Sequence, residues 1–383
     1  MKGAQIMTIE QEIHDILARE SKKKKSKSAY FLEKLQQKPE LCLWGLGSHG
    51  HLWYRYLLSL GIKVNAVFDH SERAVAQWGG AEKKIFSFEE LKERLPKMTV
   101  LVAMRNPKPV LAELSTFGFT DVYIATVNIF SFDTELRYTG QPQKLEEMER
   151  SICSVLTLLK DEISRRTVCQ TVAKWFDEAH EEIDCIDQQY GVPDIISLSE
   201  MEHFVDVGAY DGDTIDAFLK MTRNRYAHIY AFEMDKYNLS KLYQKAKSNP
   251  HWNEKRITIY PYGLSDKDET VCYAANGMCS AISKMGNETA QLRCLDNVMQ
   301  NVPVSFIKMD IEGAEPLALA GAANTIRRNR PKLAICTYHK AEHLWQIPEQ
   351  ILALCPDYRF YFRHHGPDEA DTVCYAIPGN LRQ

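Results

Sequence analysis

The 383-residue chain is long enough for two or three domains, and its 45% hydrophobic content suffices for packed cores. Its 47 Lys and Arg stand against 51 Asp and Glu, and the formal net charge of −4 excludes the basic balance that nucleic-acid binding requires. Ten cysteines without a CxxC pair and the lack of a long apolar run predict a cytoplasmic protein with reduced thiols and no membrane span.

A glycine motif follows a short amphipathic helical segment, which we assign to residues 1–37. A strand predicted at residues 40–44 leads into the GxGxxG sequence formed by Gly45, Gly47 and Gly50. The next predicted strand ends at Asp69, nineteen residues after Gly50, which is the spacing of a dinucleotide-binding fold. Further strands predicted near residues 99–104 and 121–124 complete a small Rossmann-like domain at residues 38–130.

This N-terminal unit resembles the small nucleotide-sugar-binding Rossmann modules of bacterial glycan-modifying enzymes. The matching positions are Gly45, Gly47, Gly50 and Asp69, which would hold a nucleotide sugar. A single GxGxxG is equally compatible with a ligand site and with a retained scaffold. The unit has no evident second half to hold a nicotinamide, so an NAD-dependent oxidoreductase is the less favoured alternative. Residues 131–196 are predicted to form an acidic helical connector that ends near Gly191.

A second glycine motif, HFVDVGAYDGDT, opens the domain predicted at residues 197–383. An apolar strand precedes Gly208, and a helical pattern follows Gly212. Asp206 stands before the first glycine, where a carboxylate would repel a pyrophosphate but attract the ammonium and sulfonium groups of S-adenosylmethionine. Glu233 ends the next predicted strand, where an acid commonly accepts hydrogen bonds from ribose hydroxyls.

Several sequences in this region, FVDVGAYDGDT, AFEMD, YGLSD, RCLD and IKMDIEGAE, resemble the FkbM family of S-adenosylmethionine-dependent methyltransferases. The resemblance covers roughly residues 200–380 and implies a class I methyltransferase fold with a seven-stranded sheet and a reversed last hairpin. It implies methyl transfer to an oxygen, often a sugar hydroxyl. The insertion-like sequence CYAANGMCSAISK departs from the family pattern, and this departure bears on how the acceptor is recognised.

The resemblance also assigns roles to individual residues. It places Asp206, Gly208 and Gly212 at the methionine end of the donor, Glu233 on the ribose, Ser265 and Asp266 near the adenine, and Asp310 and Glu312 facing the transferable methyl group.

A general base is expected beside these carboxylates, because the acceptor hydroxyl loses a proton. His339, at the end of the next predicted strand, is the candidate base, although a strand-end histidine bonded to the backbone is an equally good interpretation. His339 and His343 have metal-ligand spacing without an evident third ligand. Asp310 and Glu312 would point to opposite faces of a strand, so no metal site is predicted unless the strand has ended before these residues.

We therefore predict an α/β enzyme with a class I methyltransferase sheet, a smaller Rossmann-like N-terminal domain and a helical connector. The predicted activity is S-adenosylmethionine-dependent O-methylation of a sugar or glycan-related acceptor. The alternative from another class is a non-catalytic nucleotide-binding or nucleotide-sugar-binding protein, and the sequence does not indicate an oligomeric state.

Overall fold

The computed structural model describes residues 7–78, 88–94, 97–125, 128–177, 182–274, 281–282, 288–366 and 370–379. These residues form a mixed α/β fold in which two parallel or mainly parallel sheets are joined by helices. The cysteines within the described ranges are free thiols. No helix in these ranges is long and apolar enough to cross a membrane.

The N-terminal part begins with two helices whose first turns are capped by hydroxyl side chains. Thr8 accepts the N–H of Gln11, and Ser26 accepts the N–H of Ala29. Strands and helices then alternate, in the order α1 (Ile9–Lys22), α2 (Lys27–Gln36), β1 (Leu41–Trp44), α3 (Ser48–Ser59), β2 (Ala66–Phe68), α4 (Glu72–Gln77), α5 (Phe88–Arg94), β3 (Thr99–Val102), α6 (Lys108–Thr116) and β4 (Val122–Ile124). The strands pair in parallel in the order β2-β1-β3-β4.

Three longer helices connect this sheet to the rest of the chain: α7 (Ile129–Tyr138), α8 (Pro142–Leu158) and α9 (Glu162–Phe176). Helix α9 ends at Phe176, and the helical pattern predicted as far as Tyr190 is wrong for residues 182–190. Cys185 forms a β-bridge with His364 instead, and the N–H of Ile186 donates to the carbonyl of His364 at 2.8 Å. Pairing with a distant strand has overridden the local helical preference of this segment.

The C-terminal part contains a seven-stranded sheet in the order β14-β15-β13-β12-β5-β6-β7. Strand β15 runs antiparallel to both of its neighbours, and the other pairings are parallel. Its elements are β5 (His203–Val207), α10 (Asp213–Met221), β6 (His228–Phe232), α11 (Lys236–Ser248), β7 (Ile257–Tyr260), β8 (Gly263–Leu264), β9 (Glu269–Ala274), β10 (Ala281–Ile282), β11 (Glu288–Arg293), α12 (Leu295–Val298), β12 (Phe306–Met309), α13 (Glu315–Ala320), α14 (Ala323–Asn329), β13 (Lys332–Cys336), α15 (His343–Leu354), β14 (Tyr358–His364) and β15 (Thr372–Pro378). The predicted seven-stranded sheet with a reversed last hairpin is confirmed.

Two local features differ from the sequence prediction. The sequence after Asp310 predicts one helix up to about Arg330, but the structure divides it into α13 and α14 at Gly321, which packs against the backbone of Ser265. The insertion-like segment contributes to a small sheet, in the order β10-β9-β11-β8, and residues 275–280 and 283–287 of this segment lie outside the described residues.

The order of the large sheet determines where a ligand can bind. The chain moves from β5 to β6 on one side, whereas β12 pairs with β5 on the other side. The helices that follow these strands therefore diverge and leave a crevice at the carboxyl ends of the strands. Each glycine motif follows the carboxyl end of a parallel strand. Only the second motif, which begins at Gly208, lies at the carboxyl edge of the seven-stranded sheet.

Candidate active site

A cavity of about 1360 Å³ opens at the carboxyl edge of the seven-stranded sheet. Its wall includes residues at the ends of three neighbouring strands, namely Val207, Gly208, Phe232, Glu233, Lys308 and Asp310. The N-terminal part contributes Leu52, Arg105 and Phe130 to the same wall. Because pockets for a single small ligand typically measure about 300–1,000 Å³, this cavity has room for two ligands side by side.

The glycine loop after β5 depends on close backbone packing. Gly208 has a φ of +77°, and a Cβ at this position would lie 2.0 Å from the carbonyl oxygen of Asp310. Gly212 has a φ of +83° and caps α10, and a Cβ there would lie 2.5 Å from the indole ring of Trp252. Both positions therefore require glycine. The N-terminus of α10 consequently lies next to the cavity, which Asp213 and Thr214 line.

Asp206 lies beneath this loop and is fully buried. Its Oδ1 is 3.0 Å from the Nζ of Lys308, which also donates to the carbonyl of Gly208 at 2.7 Å. Burial alone would lower the pKa of Lys308, but Asp206 and Asp310 raise it above its ordinary value. Asp206 therefore contacts a lysine of its own chain, and Lys308 is the residue of this pair that lines the cavity.

Glu233 lines the cavity at the end of β6 and also organises the backbone around it. Its two carboxylate oxygens accept the N–H of Tyr210 at 2.9 Å and the N–H of Asp235 at 2.8 Å. Burial raises the pKa of this carboxyl to about 7. A carboxylate has about four acceptor positions, so Glu233 can still accept hydrogen bonds from a ligand diol.

Ser265 and Asp266 lie just outside the cavity wall. The Ser265 side chain is buried, and its hydroxyl donates to Asp266 at 3.1 Å. The wall near this pair is formed by the three residues before it and by residues of neighbouring segments: Met234, Asn238, Tyr262, Gly263, Leu264 and Leu292. The structure thus brings the predicted segment to the cavity but not the two predicted side chains.

Two tyrosines hold the side chain of Asp310, whose backbone packs against Gly208. Tyr338 donates its hydroxyl to Asp310 Oδ1 at 2.9 Å, and Tyr190 donates to Oδ2 at 3.3 Å. Asp310 still lines the cavity, with 28% of its side chain exposed. These bonds fix the direction of a carboxylate that can interact with a ligand.

A cluster of carboxylates surrounds the side chain of His339, which is only 1% exposed. Nε2 lies 3.5 Å from Asp310 Oδ1 and 3.9 Å from Glu312 Oε2, and Nδ1 lies 2.9 Å from Glu315 Oε1. Burial would lower the pKa of His339, but Glu315, Glu312 and Asp310 raise it to about 9. His343 Nδ1 lies 3.3 Å from the other oxygen of Glu315.

This environment argues against His339 as the direct base. A buried imidazole that holds its proton at neutral pH cannot remove one from an acceptor. Asp310 and Glu312, in contrast, both line the cavity. His339 lies against both of these carboxylates, 3.5 Å from Asp310 and 3.9 Å from Glu312.

The sequence-based argument against a metal site, that Asp310 and Glu312 point to opposite faces of a strand, does not apply in the structure. Strand β12 ends at Met309, so Asp310 and Glu312 do not alternate across a strand. Glu312 has a φ of 56°, in the left-handed region that is uncommon for a residue with a side chain. Asp310, Glu315 and His339 each offer one ligand atom within 4.8 Å of the others.

The N-terminal glycine motif lies away from this cavity wall. Asp69 accepts the N–H of Leu46 at 2.7 Å and the N–H of Ser71 at 2.8 Å, so both of its oxygens already stabilise local backbone. A Cβ at Gly50 would lie 1.8 Å from the carbonyl oxygen of Gly45, whereas a Cβ at Gly47 would meet no atom within 4 Å. A Cβ at Gly45 would lie 2.4 Å from the carbonyl oxygen of Ala103. Three of these four residues, Gly45, Gly50 and Asp69, therefore serve packing or backbone contacts, and nucleotide-sugar binding stays a prediction.

Several residues of the site were not identified from the sequence: Leu52, Arg105, Phe130, Tyr190, Lys308, Glu315 and Tyr338. Lys308 and Glu315 lie close in sequence to the predicted residues Asp310 and Glu312, and Tyr338 lies directly beside His339. A charged or hydroxyl group near the end of a strand was the sequence signal that could have identified them. The three N-terminal wall residues carry no such signal, because only the packing of the two parts brings them to the cavity.

The sheet order and the cavity at its carboxyl edge define a class I methyltransferase fold. Residues 206–366 match the family model described as the methyltransferase FkbM domain. No curated protein matches the chain.

Solved structures share this fold. The FkbM methyltransferase from Methylobacillus flagellatus is 20% identical, and the match has a TM-score of 0.62 and covers 97% of this chain and 99% of that chain. Fibrillarin from Aeropyrum pernix, solved with natively bound S-adenosyl-L-methionine, is 12% identical over 49% of this chain and 70% of that chain, with a TM-score of 0.32. An rRNA methylase from Streptococcus thermophilus is 13% identical over 47% of this chain and 87% of that chain, with a TM-score of 0.31.

Proposed function

We propose that this methyltransferase uses S-adenosylmethionine to methylate a hydroxyl group of a sugar or glycan-related acceptor. The observation that carries the proposal is the composition of the cavity wall. The wall combines the glycine loop and Glu233 with the carboxylates of Asp310 and Glu312, and Gly208 packs against the backbone of Asp310. One cavity thus offers a nucleoside-type site and an acidic site in continuity.

The donor would occupy the end of the cavity near Gly208. Glu233 would accept hydrogen bonds from the ribose diol, and the apolar wall around Leu264 would contact the adenine. The free N–H groups at the start of α10 would lie beside the amino-acid portion. Asp206 would act indirectly, by holding Lys308 and the loop in place.

Methyl transfer requires a cationic donor and an acceptor that loses a proton. The hydroxyl oxygen forms a bond to the methyl carbon while the carbon–sulfur bond breaks, and its electron pair returns to sulfur to give a neutral thioether. Asp310 and Glu312 face the cavity and would attract the sulfonium before this step. One of the two carboxylates would accept the hydroxyl proton, a contribution typically worth 10²- to 10⁴-fold in rate.

The acceptor would lie between the two parts of the chain. Leu52, Arg105 and Phe130 line the same cavity as the C-terminal carboxylates, and an apolar ring beside polar groups suits a sugar ring. We propose that residues 38–130 form a unit that contributes to acceptor selection through these side chains. The predicted nucleotide-sugar contact at Gly45, Gly47, Gly50 and Asp69 would be a separate site from this wall.

Calorimetric titration with S-adenosylhomocysteine, NAD and a UDP-sugar tests the donor assignment. We expect saturable binding of S-adenosylhomocysteine that Glu233→Ala weakens at least about tenfold, because two hydrogen bonds to a charged group are lost. Asp266→Asn is the matched control, since this acid is exposed outside the cavity wall. Binding of NAD without binding of S-adenosylhomocysteine would instead favour an oxidoreductase.

Turnover then separates an enzyme from a binding protein. Incubation with S-adenosylmethionine and a panel of sugars, nucleotide sugars and oligosaccharides should release S-adenosylhomocysteine with at least one acceptor. Substitution of Phe130 by Ala should raise KM for that acceptor while leaving donor affinity unchanged. Binding of both ligands without any release would support the non-catalytic alternative.

A further inference from the structure

We infer that the cluster around His339 is a divalent-cation site, with Asp310 and His339 as ligands at the floor of the cavity. The assignment rests on ligand geometry and on the hydrogen-bonding state of the histidine. Its role toward the acceptor rests on the proposed function.

The ligand geometry suits one small cation. His339 Nε2 and Asp310 Oδ1 are 3.5 Å apart, and Glu312 Oε2 lies 3.9 Å from the same nitrogen. Two ligands at about 2.1 Å from a metal lie roughly 3.0–3.5 Å apart in octahedral or tetrahedral geometry. Small side-chain adjustments would therefore bring both Asp310 and His339 to coordination distance.

One ring nitrogen of the histidine lacks a hydrogen-bond partner. Nδ1 lies against Glu315, but Nε2 makes no hydrogen bond within the described part of the chain, although the side chain is only 1% exposed. Such a buried polar group normally costs free energy unless a partner satisfies it. Nε2 points toward the two carboxylates of the cavity wall, so a cation held between them would satisfy it.

Glu315 supplies the supporting contact that a metal-bound histidine usually has. Its Oε1 lies 2.9 Å from Nδ1 of His339, and its own side chain is fully buried. A carboxylate on the far nitrogen orients the ring and leaves the near nitrogen available as a ligand. Cation binding would displace the proton from Nε2, as metal binding to histidine generally does.

The ligand set determines the class of cation. Carboxylate oxygen combined with a single imidazole suits Mn²⁺ or Mg²⁺ more than a thiolate-seeking metal. In the methyltransferase, the hydroxyl oxygen of the acceptor would bind this cation at a position open to the cavity. The cation would lower the pKa of that hydroxyl, and Glu312 would accept its proton as the oxygen–methyl bond forms.

Titration of the full chain with Mn²⁺, followed by electron paramagnetic resonance of the free ion, tests this site. We expect about one equivalent to bind, and we expect Asp310→Asn and His339→Gln each to weaken binding at least about tenfold. Asp266→Asn is the control, because it removes an exposed carboxylate outside the cavity. A thermal shift induced by Mn²⁺ in the unmodified protein provides a second readout that does not depend on the variants.

The outcomes distinguish this inference from the proposed function. Absence of saturable Mn²⁺ binding, or equal binding by Asp310→Asn, would overturn the metal site. S-adenosylhomocysteine titrated into the same samples reports on the donor site separately. Donor binding without Mn²⁺ binding would remove only the metal site, whereas Mn²⁺ binding without donor binding would retain the site and remove the methyltransferase assignment.

Discussion

The Lys308 ammonium lies 3.0 Å from the Asp206 carboxylate, and the two residues are register partners on the adjacent strands β12 and β5. Both side chains are buried, and the lysine also holds the carbonyl of Gly208. The ammonium group of Lys308 therefore connects the KMDIEGAE segment both to Asp206 and to the glycine loop. Its removal should affect both stability and the shape of the donor site.

We expect Lys308→Met to lower the free energy of unfolding by about 3–5 kcal/mol, because it leaves Asp206 as a buried unpaired charge. The double variant Asp206→Asn/Lys308→Met should lose less than the sum of the two single variants. Urea denaturation measures all three. Lys236→Met is the control, since its ion pair with Glu288 is exposed and should contribute no measurable stability. Strictly additive losses would contradict a direct coupling.

Gly208→Ala should weaken S-adenosylhomocysteine binding at least about tenfold and cost about 1–3 kcal/mol of stability. The added Cβ would meet the backbone of Asp310 at 2.0 Å, so the loop must move away from β12. Gly47→Ala tests whether the first glycine loop has the same requirement. A Cβ there meets no atom within 4 Å, and we expect calorimetry and denaturation to show almost no change. Equal effects of the two substitutions would contradict this difference.

Donor binding should depend on pH through Glu233. Burial raises its pKa to about 7, and ribose hydroxyls donate to the ionised form. Affinity for S-adenosylhomocysteine should therefore rise as the pH increases through 7, and Glu233→Gln should remove most of this dependence. Calorimetry at several pH values between about 5.5 and 8.5 measures it. An unchanged pH profile in the variant would assign the dependence to another group.

The same carboxyl makes an opposite contribution to the stability of the unliganded protein. A folded-state pKa of about 7 lies above the ordinary 4.5, so the folded form binds the proton more tightly than the unfolded form. This contribution is fully present below pH 4.5 and is lost as the pH rises through 7, and it amounts to at most about 3 kcal/mol. The unfolding free energy of Glu233→Gln should lack this decline.

Glu342 links the helix α7 to the C-terminal part. Arg137 contacts both of its carboxylate oxygens, and Tyr138 donates its hydroxyl to Oε1 at 2.8 Å. Burial opposes ionisation of Glu342, but Arg137 lowers its pKa to about 2. This stabilisation is present above pH 4.5 and is lost as the pH falls toward 2. Glu342→Gln should lower stability by about 1 kcal/mol, allowing for partial exposure of the pair.

The measurement for this link is thermal unfolding at neutral pH. Glu200→Gln is a suitable control, because its ion pair with Arg225 is more than half exposed on both sides. We expect the control to leave the midpoint unchanged. A shift in the control as large as that of Glu342→Gln would indicate a general charge effect instead of a specific link.

The sequence predicted the sheet because its signals are local. Apolar strands that stop at Gly208, Glu233 and Asp310 mark the carboxyl edge, and parallel strands place such ends together. The prediction of the site was limited because the sequence does not show the residue at which each strand ends. Asp310 and Glu312 were assigned to opposite faces, but β12 had already ended at Met309 and Glu312 turned into the left-handed region.

Other parts of the site depend on tertiary packing that no local pattern encodes. Tyr190 reaches Asp310 from a segment with a helical pattern, because Cys185 pairs with β14 instead. Asp69 has the spacing of a ribose-binding acid, but both of its oxygens accept backbone N–H groups in its own loop and turn. The spacing of a motif specifies where an acid lies, whereas its neighbours determine which groups it can still bind.

The packing of α9 on β14 also affects the order in which the protein can fold during synthesis. Ser164 accepts the N–H of Phe362, which is made 198 residues later. At ordinary ribosomal speeds, roughly 10–40 s separate these two residues. During that interval the helix α9 lacks the strand β14 that covers it, although the N-terminal sheet is already complete. A nascent chain paused within this window would be a natural client for molecular chaperones.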